Sequence, residues 1–220
     1  MDEKNVPIEE NEAVASAVNT AEAKPIKKKM NLPNRLTILR ILFVPVYIAC
    51  MIYIDNPFVC GLSAGLVFVV TAATDFFDGS IARKYNLITN FGKFMDPVAD
   101  KILVFAAFLT LAVRVTPLQG LLVWTCVIVF LRELMVTSLR LVCASSGGGV
   151  VAASFFGKTK TLVQDATIAI VLLEYALIEG RVIDTMWILS YILIAATIIT
   201  TIGSGIDYLK SYDQFINTNE

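Results

Sequence analysis

Four aspartates stand at helical spacings in a largely apolar chain: Asp75, Asp78, Asp96 and Asp100. The first two are three residues apart and the last two are four apart, so each pair would share one face of a helix. Two adjacent antiparallel helices would then bring both pairs of carboxylates together. Like charges at close range raise one another's pKa, so four carboxylates need cations to stay ionised. The spacing therefore predicts a metal site.

The ligand types indicate which metal this site would hold. The chain has no histidine, and its four cysteines stand singly without a CxxC pair. Oxygen ligands alone favour Mg²⁺ or Mn²⁺ over zinc. Carboxylates can also bridge two ions, so a site with a pair of metal ions is feasible.

Glycine and arginine stand beside these aspartates. Gly79 and Gly92 carry no side chain, which leaves room for a ligand to approach the backbone closely. Arg83 can bind phosphate oxygens in a two-pronged fashion. Metal, open backbone and arginine together suit a diphosphate ligand.

The complete pattern resembles the signature of the CDP-alcohol phosphatidyltransferase family. It reads Asp75-x-x-Asp78-Gly79-x-x-Ala82-Arg83 and, after eight residues, Gly92-x-x-x-Asp96-x-x-x-Asp100. The resemblance implies six transmembrane helices, a homodimer and a CDP-linked lipid donor. It also implies that the aspartates hold one or two divalent ions on the diphosphate and that the last one, Asp100, is the general base. The donor, CDP-diacylglycerol, would contact Asp78, Gly79, Ala82, Arg83 and Gly92.

Three further stretches resemble the bacterial branch of the family that uses glycerol 3-phosphate as acceptor: NLPNRLTILR (31–40), LRELMVTSLR (131–140) and GKTKTLVQ (157–164). In the first stretch Asn34, Thr37 and Arg40 would approach the nucleotide end of the donor. The other two contribute the basic residues Arg132, Arg140, Lys158 and Lys160.

These four basic residues would form a second anion site, distinct from the metal. A phosphorylated acceptor needs such a site, whereas a neutral acceptor such as choline does not. The alternative is that they only orient the protein or meet lipid headgroups. The Gly-Lys-Thr at 157–159 is not an ATP phosphate loop, because the Walker pattern requires glycine where the chain has Ala152.

The helices that must position these residues follow from the uncharged windows 41–54, 56–74, 102–113, 115–131, 166–173 and 185–206. With 56% hydrophobic and 17% charged residues, the composition is that of a membrane protein. A helix needs about 20 apolar residues to span a bilayer, so most windows must extend through flanking charged segments. In an all-α chain with six spans, these polar extensions would all lie on one side of the membrane.

Charge predicts the orientation and the domain organisation. Of the 18 lysines and arginines, only Arg114 and Arg181 fall in the opposite loops, so the polar side and both termini should face the cytoplasm of a cell membrane. Residues 1–30 are acidic and Ala-rich, with no signal sequence pattern, and we expect a disordered cytoplasmic tail. Residues 31–210 would form the membrane domain and 211–220 a short cytoplasmic tail.

Rival hypotheses remain open at this point. Within the family, the acceptor could be inositol phosphate, serine, or phosphatidylglycerol, the last giving cardiolipin. A proton-coupled transporter would carry carboxylates near mid-membrane with broken helices. An intramembrane aspartyl protease would need only two aspartates and no metal. We expect no nucleic-acid partner.

Overall fold

The protein is described here from a computed structural model covering residues 32–84, 90–145, 155–183 and 186–218. At 32–36, 75–84, 90–94, 96–97, 100, 143–145, 155–156, 158 and 213–218 it describes the backbone alone. Six helices run through this part: α1 (Leu32–Tyr53), α2 (Pro57–Lys84), α3 (Asn90–Arg114), α4 (Gln119–Ser145), α5 (Phe155–Glu174) and α6 (Ile188–Thr218). The tail predicted over residues 1–30 lies outside the described residues.

Each helix continues through the charged segment that flanks its uncharged window. Thus α2 runs on to Lys84, α3 begins at Asn90, and α4 continues past Arg132 and Arg140 to Ser145. The expected extensions are confirmed at the level of the backbone. The charged residues are therefore carried on helices and not on connecting loops.

The outer surface of the bundle is apolar, as a lipid environment requires. Large exposed side chains include Leu42, Leu66, Val113, Trp124 and Ile199. Within the described residues, four segments are long and apolar enough to cross a membrane, namely Pro57–Thr74, Thr116–Val142, Thr159–Glu179 and Ile188–Tyr212, and α1 adds the shorter stretch Thr37–Tyr53. The chain is an all-α membrane protein, as predicted, while the count of six spans stays a prediction.

Short connections close one end of the bundle. The side chain of Asn56 accepts hydrogen bonds from the backbone N–H groups of Phe58 (3.0 Å) and Val59 (3.2 Å), which caps the start of α2. A 3₁₀ turn, Thr116–Leu118, joins α3 to α4. After a π-helical segment, Tyr175–Glu179, the chain turns at Gly180, where a Cβ atom would collide with the carbonyl oxygen of Ala176. We call this end, with residues 53–57, 114–119, 174–183 and 186–191, the short-turn end.

The opposite ends of the same helices form what we call the motif half: residues 32–44, 75–84, 90–101, 132–145, 155–167 and 197–218. Helix α3 packs against α1 and α4, and α6 packs against α4 and α5. Gly61 lets α2 approach α5 closely, since a Cβ atom there would lie 2.7 Å from the carbonyl oxygen of Leu172. The buried core includes Tyr47, Phe68, Phe108, Leu122, Ile168 and Ile194. This packing places α3, α4, α5 and α6 side by side where the predicted site residues lie.

Candidate functional site

The four aspartates lie on two helices of the motif half. Asp75 and Asp78 fall on α2, and Asp96 and Asp100 fall on α3, so the helical spacing assumed for each pair is present in the backbone. Their side chains lie outside the described part of the structure, as do those of Gly79, Ala82, Arg83 and Gly92. Among the side chains that are described, no group of three or more His, Cys, Asp or Glu residues could hold a metal ion. The predicted metal site therefore stays a prediction.

The residues predicted to approach the nucleotide lie on α1. Thr37 and Arg40 are both buried, Arg40 so completely that it is among the largest fully buried side chains of the protein. The side chain of Asn34 is outside the described part. A buried arginine in a membrane protein is costly unless it has a structural or functional use. The placement of Arg40 is consistent with a role in binding and does not test it.

Glu133 on α4 holds three cations from three helices. Its Oε1 atom accepts hydrogen bonds from NH1 of Arg132 (2.7 Å) and from Nζ of Lys160 on α5. Its Oε2 atom lies 3.5 Å from Nζ of Lys101 on α3. Lys101 also donates to the hydroxyl of Thr137, at 2.7 Å. One carboxylate thus connects α3, α4 and α5. Its contact on α3, Lys101, directly follows Asp100 in the sequence.

A small cavity opens beside this carboxylate. Its volume is about 120 Å³, and its lining comes from α3, α4 and α5: Lys101, Val104, Phe105, Val129, Glu133, Lys160, Thr161 and Gln164. Polar and charged groups thus converge on a cavity large enough for a few water molecules or a small polar group. Such a cavity within a bundle of apolar helices is suited to a polar ligand.

The two arginines of α4 meet α6 at the ring of Tyr208. The Cζ atoms of Arg132 and Arg140 lie over this ring, 5.4 Å and 5.2 Å from its centroid. NH2 of Arg140 donates to the hydroxyl of Tyr208, and NH2 of Arg132 donates to the hydroxyl of Ser204. Arg140 is exposed, whereas the side chain of Arg132 is only 10% exposed. Each guanidinium is therefore held by α6, and Arg140 is the more accessible of the two to an incoming ligand.

A buried line of polar residues continues from this point between α5 and α6. On α5 it consists of Lys160, Gln164 and Thr167, and on α6 of Thr197, Thr201, Ser204 and Tyr208. The hydroxyls of Thr167 and Thr197 lie 2.7 Å apart. Near the start of α5, the Cβ position of Gly157 lies 3.9 Å from the hydroxyl of Tyr208. We call this line the polar seam.

Three buried polar atoms around the polar seam have no hydrogen-bond partner among the described residues: Nε of Arg132, Nε2 of Gln164 and Oγ1 of Thr201. A buried polar group without a partner costs free energy, so it usually marks a place for water or a ligand. The two paired threonines show that the same seam satisfies its polar groups at the end furthest from the basic residues. The unsatisfied atoms thus concentrate near the basic residues.

The structure brings three of the four predicted basic residues together, namely Arg132, Arg140 and Lys160, and it adds partners that the sequence did not single out. Lys158 lies at the start of α5 with its side chain outside the described part. The additional residues are Lys101, Glu133, Gln164, Ser204 and Tyr208. On α5 and α6 a signal was available, because Lys160, Gln164 and Thr167, like Thr197, Thr201, Ser204 and Tyr208, recur at helical spacing. That pattern predicts one polar face per helix, but it does not identify the facing helix.

Comparisons with known proteins point to one family. The sequence profile of CDP-alcohol phosphatidyltransferases matches residues 30–203. A Bacillus subtilis protein named CDP-diacylglycerol–glycerol-3-phosphate 3-phosphatidyltransferase is 34% identical over 207 residues, covering 86% of this chain and 98% of its own. A Rickettsia bellii protein of the same name is 38% identical, covering 84% and 97%. A Mycobacterium tuberculosis protein named probable phosphatidylglycerophosphate synthase is 34% identical, covering 90% and 88%.

Proposed function

The chain belongs to the CDP-alcohol phosphatidyltransferase family, and from this premise we propose that it transfers a phosphatidyl group from CDP-diacylglycerol to sn-glycerol 3-phosphate. The products are phosphatidylglycerol phosphate and CMP. The observation that carries this proposal is the contact of Lys101 with Glu133, because it joins the aspartate helix α3 to the basic residues of α4 and α5. A phosphorylated acceptor bound there would lie beside the reacting group.

The acceptor phosphate would be bound by the basic residues. Arg140 is exposed and its guanidinium is oriented by Tyr208, so it is the first contact we assign to the phosphate. Arg132 and Lys160 are buried and paired with Glu133. They would add positive charge to the site that Arg140 opens to the phosphate. Lys158 would complete the set from the start of α5. A phosphate dianion is best held by several charge-assisted hydrogen bonds of this kind.

The donor would be held by α1, α2 and α3. We assign the diphosphate and nucleotide to Asn34, Thr37, Arg40, Asp78, Gly79, Ala82, Arg83 and Gly92. The donor set for a metal fits Mg²⁺ or Mn²⁺, since Asp75, Asp78, Asp96 and Asp100 offer oxygen ligands from two helices whose backbones keep the required spacing. When bound, such an ion neutralises the charge of the diphosphate.

The reaction needs a base and a leaving group. Asp100 accepts the proton of the 1-hydroxyl of glycerol 3-phosphate as that oxygen attacks the lipid-linked phosphorus. The bond from this phosphorus to CMP breaks, and CMP leaves with the electron pair. Both substrates bind to the enzyme at the same time, so the attack becomes effectively an intramolecular reaction between correctly oriented groups. We expect a single inversion at phosphorus and no covalent enzyme intermediate. Retention, or a trapped phosphatidyl-enzyme, would contradict this mechanism while leaving the family unchanged.

Location and assembly follow the same proposal. The lysine and arginine distribution supports an orientation with the motif half and both termini on the cytoplasmic side of a cell membrane. There the soluble acceptor can reach Arg140. We further expect the protein to work as a homodimer embedded among membrane lipids, as the family resemblance implies.

The test is CMP release by the purified protein. We expect release from CDP-diacylglycerol when glycerol 3-phosphate is present with Mg²⁺ or Mn²⁺, and none in EDTA. Asp75→Ala or Asp96→Ala should abolish release and weaken ion binding. Full activity in EDTA would contradict the metal site, and release with inositol phosphate, serine or phosphatidylglycerol in place of glycerol 3-phosphate would reassign the acceptor.

A further inference from the structure

Tyr208 contacts both arginines to which we assign the acceptor phosphate. Its ring lies under the guanidinium groups of Arg132 and Arg140, and its hydroxyl accepts a hydrogen bond from Arg140. These contacts bring α6 to the basic residues of α4. Sequence spacing on α4 alone sets the two arginines eight residues apart and gives no reason for them to share a partner.

A tyrosine near the end of a membrane helix often serves as an interfacial anchor that faces the lipid headgroups. Tyr208 does not fit this role, because only 5% of it is exposed. On the same helix, Tyr191 at the short-turn end is 46% exposed and does fit it. The ring of Tyr208 is therefore turned into the protein, toward α4 and α5.

The position of Tyr208 is fixed independently of the arginines. The Thr167–Thr197 hydrogen bond sets the register of α6 against α5, and the hydroxyl of Tyr208 lies close to Gly157 at the start of α5. The ring is thus a rigid surface against which the two flexible arginine side chains lie.

We propose that Tyr208 is a positioning residue that holds Arg132 and Arg140 in the orientation that binds the acceptor phosphate. The proposal rests on the proposed function. A guanidinium held near an aromatic ring by a cation–π contact loses less rotational freedom on binding, and the N–H groups that the protein does not use stay available for a phosphate. Nε of Arg132 has no hydrogen-bond partner among the described residues, so that guanidinium retains an unused donor.

The proposal predicts a selective change in substrate binding. Tyr208→Leu should raise KM for glycerol 3-phosphate about tenfold, which corresponds to a cation–π contact of about 1.4 kcal/mol. KM for CDP-diacylglycerol should stay within about twofold, and kcat at saturating acceptor within about threefold, since the reacting groups are untouched.

Two further variants separate the ring from the hydroxyl and from general effects on α6. Tyr208→Phe keeps the ring and loses the hydrogen bond to Arg140, so its KM for glycerol 3-phosphate should rise only about two- to threefold. Tyr191→Leu makes the same change as Tyr208→Leu on the same helix, but at the exposed short-turn end. It should leave both KM values unchanged.

A double-mutant cycle tests whether Tyr208 acts through Arg140. In an Arg140→Gln background, Tyr208→Leu should raise KM for glycerol 3-phosphate by less than half the factor seen in the wild type. Additive effects, or equal rises in both KM values, would overturn the proposal. If Tyr208→Leu does not yield folded protein, the cycle with Tyr208→Phe decides: coupling of about twofold supports the role of Tyr208, and additivity overturns it.

The outcome also separates this inference from the proposed function. If the wild-type protein releases CMP with another phosphorylated acceptor, the proposed function fails, and the same cycle is run with that acceptor. A raised KM for that acceptor then still supports Tyr208. If the wild type accepts only an uncharged alcohol, both the function and the role of Tyr208 are overturned.

Discussion

Arginines at the two ends of the bundle are held in different ways. At the short-turn end, Nε of Arg114 donates to the carbonyl oxygen of Met51 (2.5 Å), and NH2 donates to those of Ile52 (2.8 Å) and Ile54 (3.2 Å). In the motif half, Arg132 and Arg140 contact side chains and an aromatic ring. Arg114 closes the last turn of α1, where helical carbonyls lack partners. Backbone contacts thus mark a structural arginine, whereas orientation by side chains suits an arginine that binds a ligand.

The carboxylates differ in the same way. Glu174, at the short-turn end, accepts from the backbone N–H of Ser190 (3.2 Å) and from its hydroxyl, which caps the start of α6. Glu133, in the motif half, contacts three cations, and two of them, Lys101 and Lys160, line a cavity with it. Glu174 therefore caps a helix, whereas Glu133 holds basic side chains of three helices together. Matched substitutions at the two ends can therefore separate stability from function.

The largest expected effect concerns two aspartates. Asp100→Asn should lower kcat by about 10²–10⁴-fold, the usual contribution of a general base, while donor binding is largely kept. The matched control is Asp55→Asn, since Asp55 is an exposed residue of the short-turn end and should not affect turnover. Steady-state CMP release measures both. Equal losses in the two variants would remove the functional distinction between the ends.

The next effect is on stability and concerns the two glutamates. Glu133→Gln removes the carboxylate that contacts the buried side chains of Arg132 and Lys160, and breaking a buried ion pair on one side costs about 3–5 kcal/mol. Glu174→Gln keeps an oxygen that can accept from Ser190, so its cost should be about 0.5–1.5 kcal/mol. Unfolding by denaturant in detergent micelles gives both free energies. A larger loss at Glu174 would refute the contrast between them.

Substrate binding should separate the two arginines. Arg140→Gln should raise KM for glycerol 3-phosphate about ten- to a hundredfold, because one charge-assisted contact of about 1.5–3 kcal/mol is lost. KM for CDP-diacylglycerol should change much less. Arg114→Gln should lower the free energy of unfolding without changing either KM. If both KM values rise together in Arg140→Gln, Arg140 has a structural role, as Arg114 does, and not a specific role in binding the acceptor.

Much of the fold could be predicted from hydropathy and charge. The uncharged windows predict the helices, and the cost of polar groups in a membrane predicts that charged flanks such as 132–140 are helical. Pro45 shows the limit of local rules. It lies inside α1 without ending the helix, because neighbouring helices can compensate for the hydrogen bond that proline removes.

The candidate site was less accessible to sequence reasoning. Residue type and spacing identify the basic residues of α4 and α5 but not their partners, since the contacts between Lys101 and Glu133, or Arg140 and Tyr208, join residues 32 and 68 positions apart. Such pairs depend on which helices become neighbours and in what register. Tyr208 stands near the end of a membrane helix, where tyrosines commonly face lipid headgroups, so residue type and position do not single it out, whereas its burial does.

The smallest expected effect tests the polar seam, where paired and unpaired hydroxyls lie one turn apart on α6. Thr197→Val removes the hydrogen bond to Thr167 and should lower the free energy of unfolding by about 0.5–1.5 kcal/mol. Thr201→Val has nearly the same shape but removes a buried hydroxyl without a hydrogen-bond partner among the described residues, so it should raise the free energy of unfolding by about 1 kcal/mol.

The opposite signs make this pair informative, because both variants trade the same hydroxyl for the same methyl group on one face of one helix. Any general effect of valine on helix α6 cancels between them. If Thr201→Val instead destabilises the protein, its hydroxyl has a partner that only water or a ligand can supply, and the polar seam is hydrated near the basic residues. Denaturant unfolding with and without glycerol 3-phosphate then shows whether that partner is water or the ligand. A ligand in contact with Thr201 would stabilise the wild type more than the valine variant.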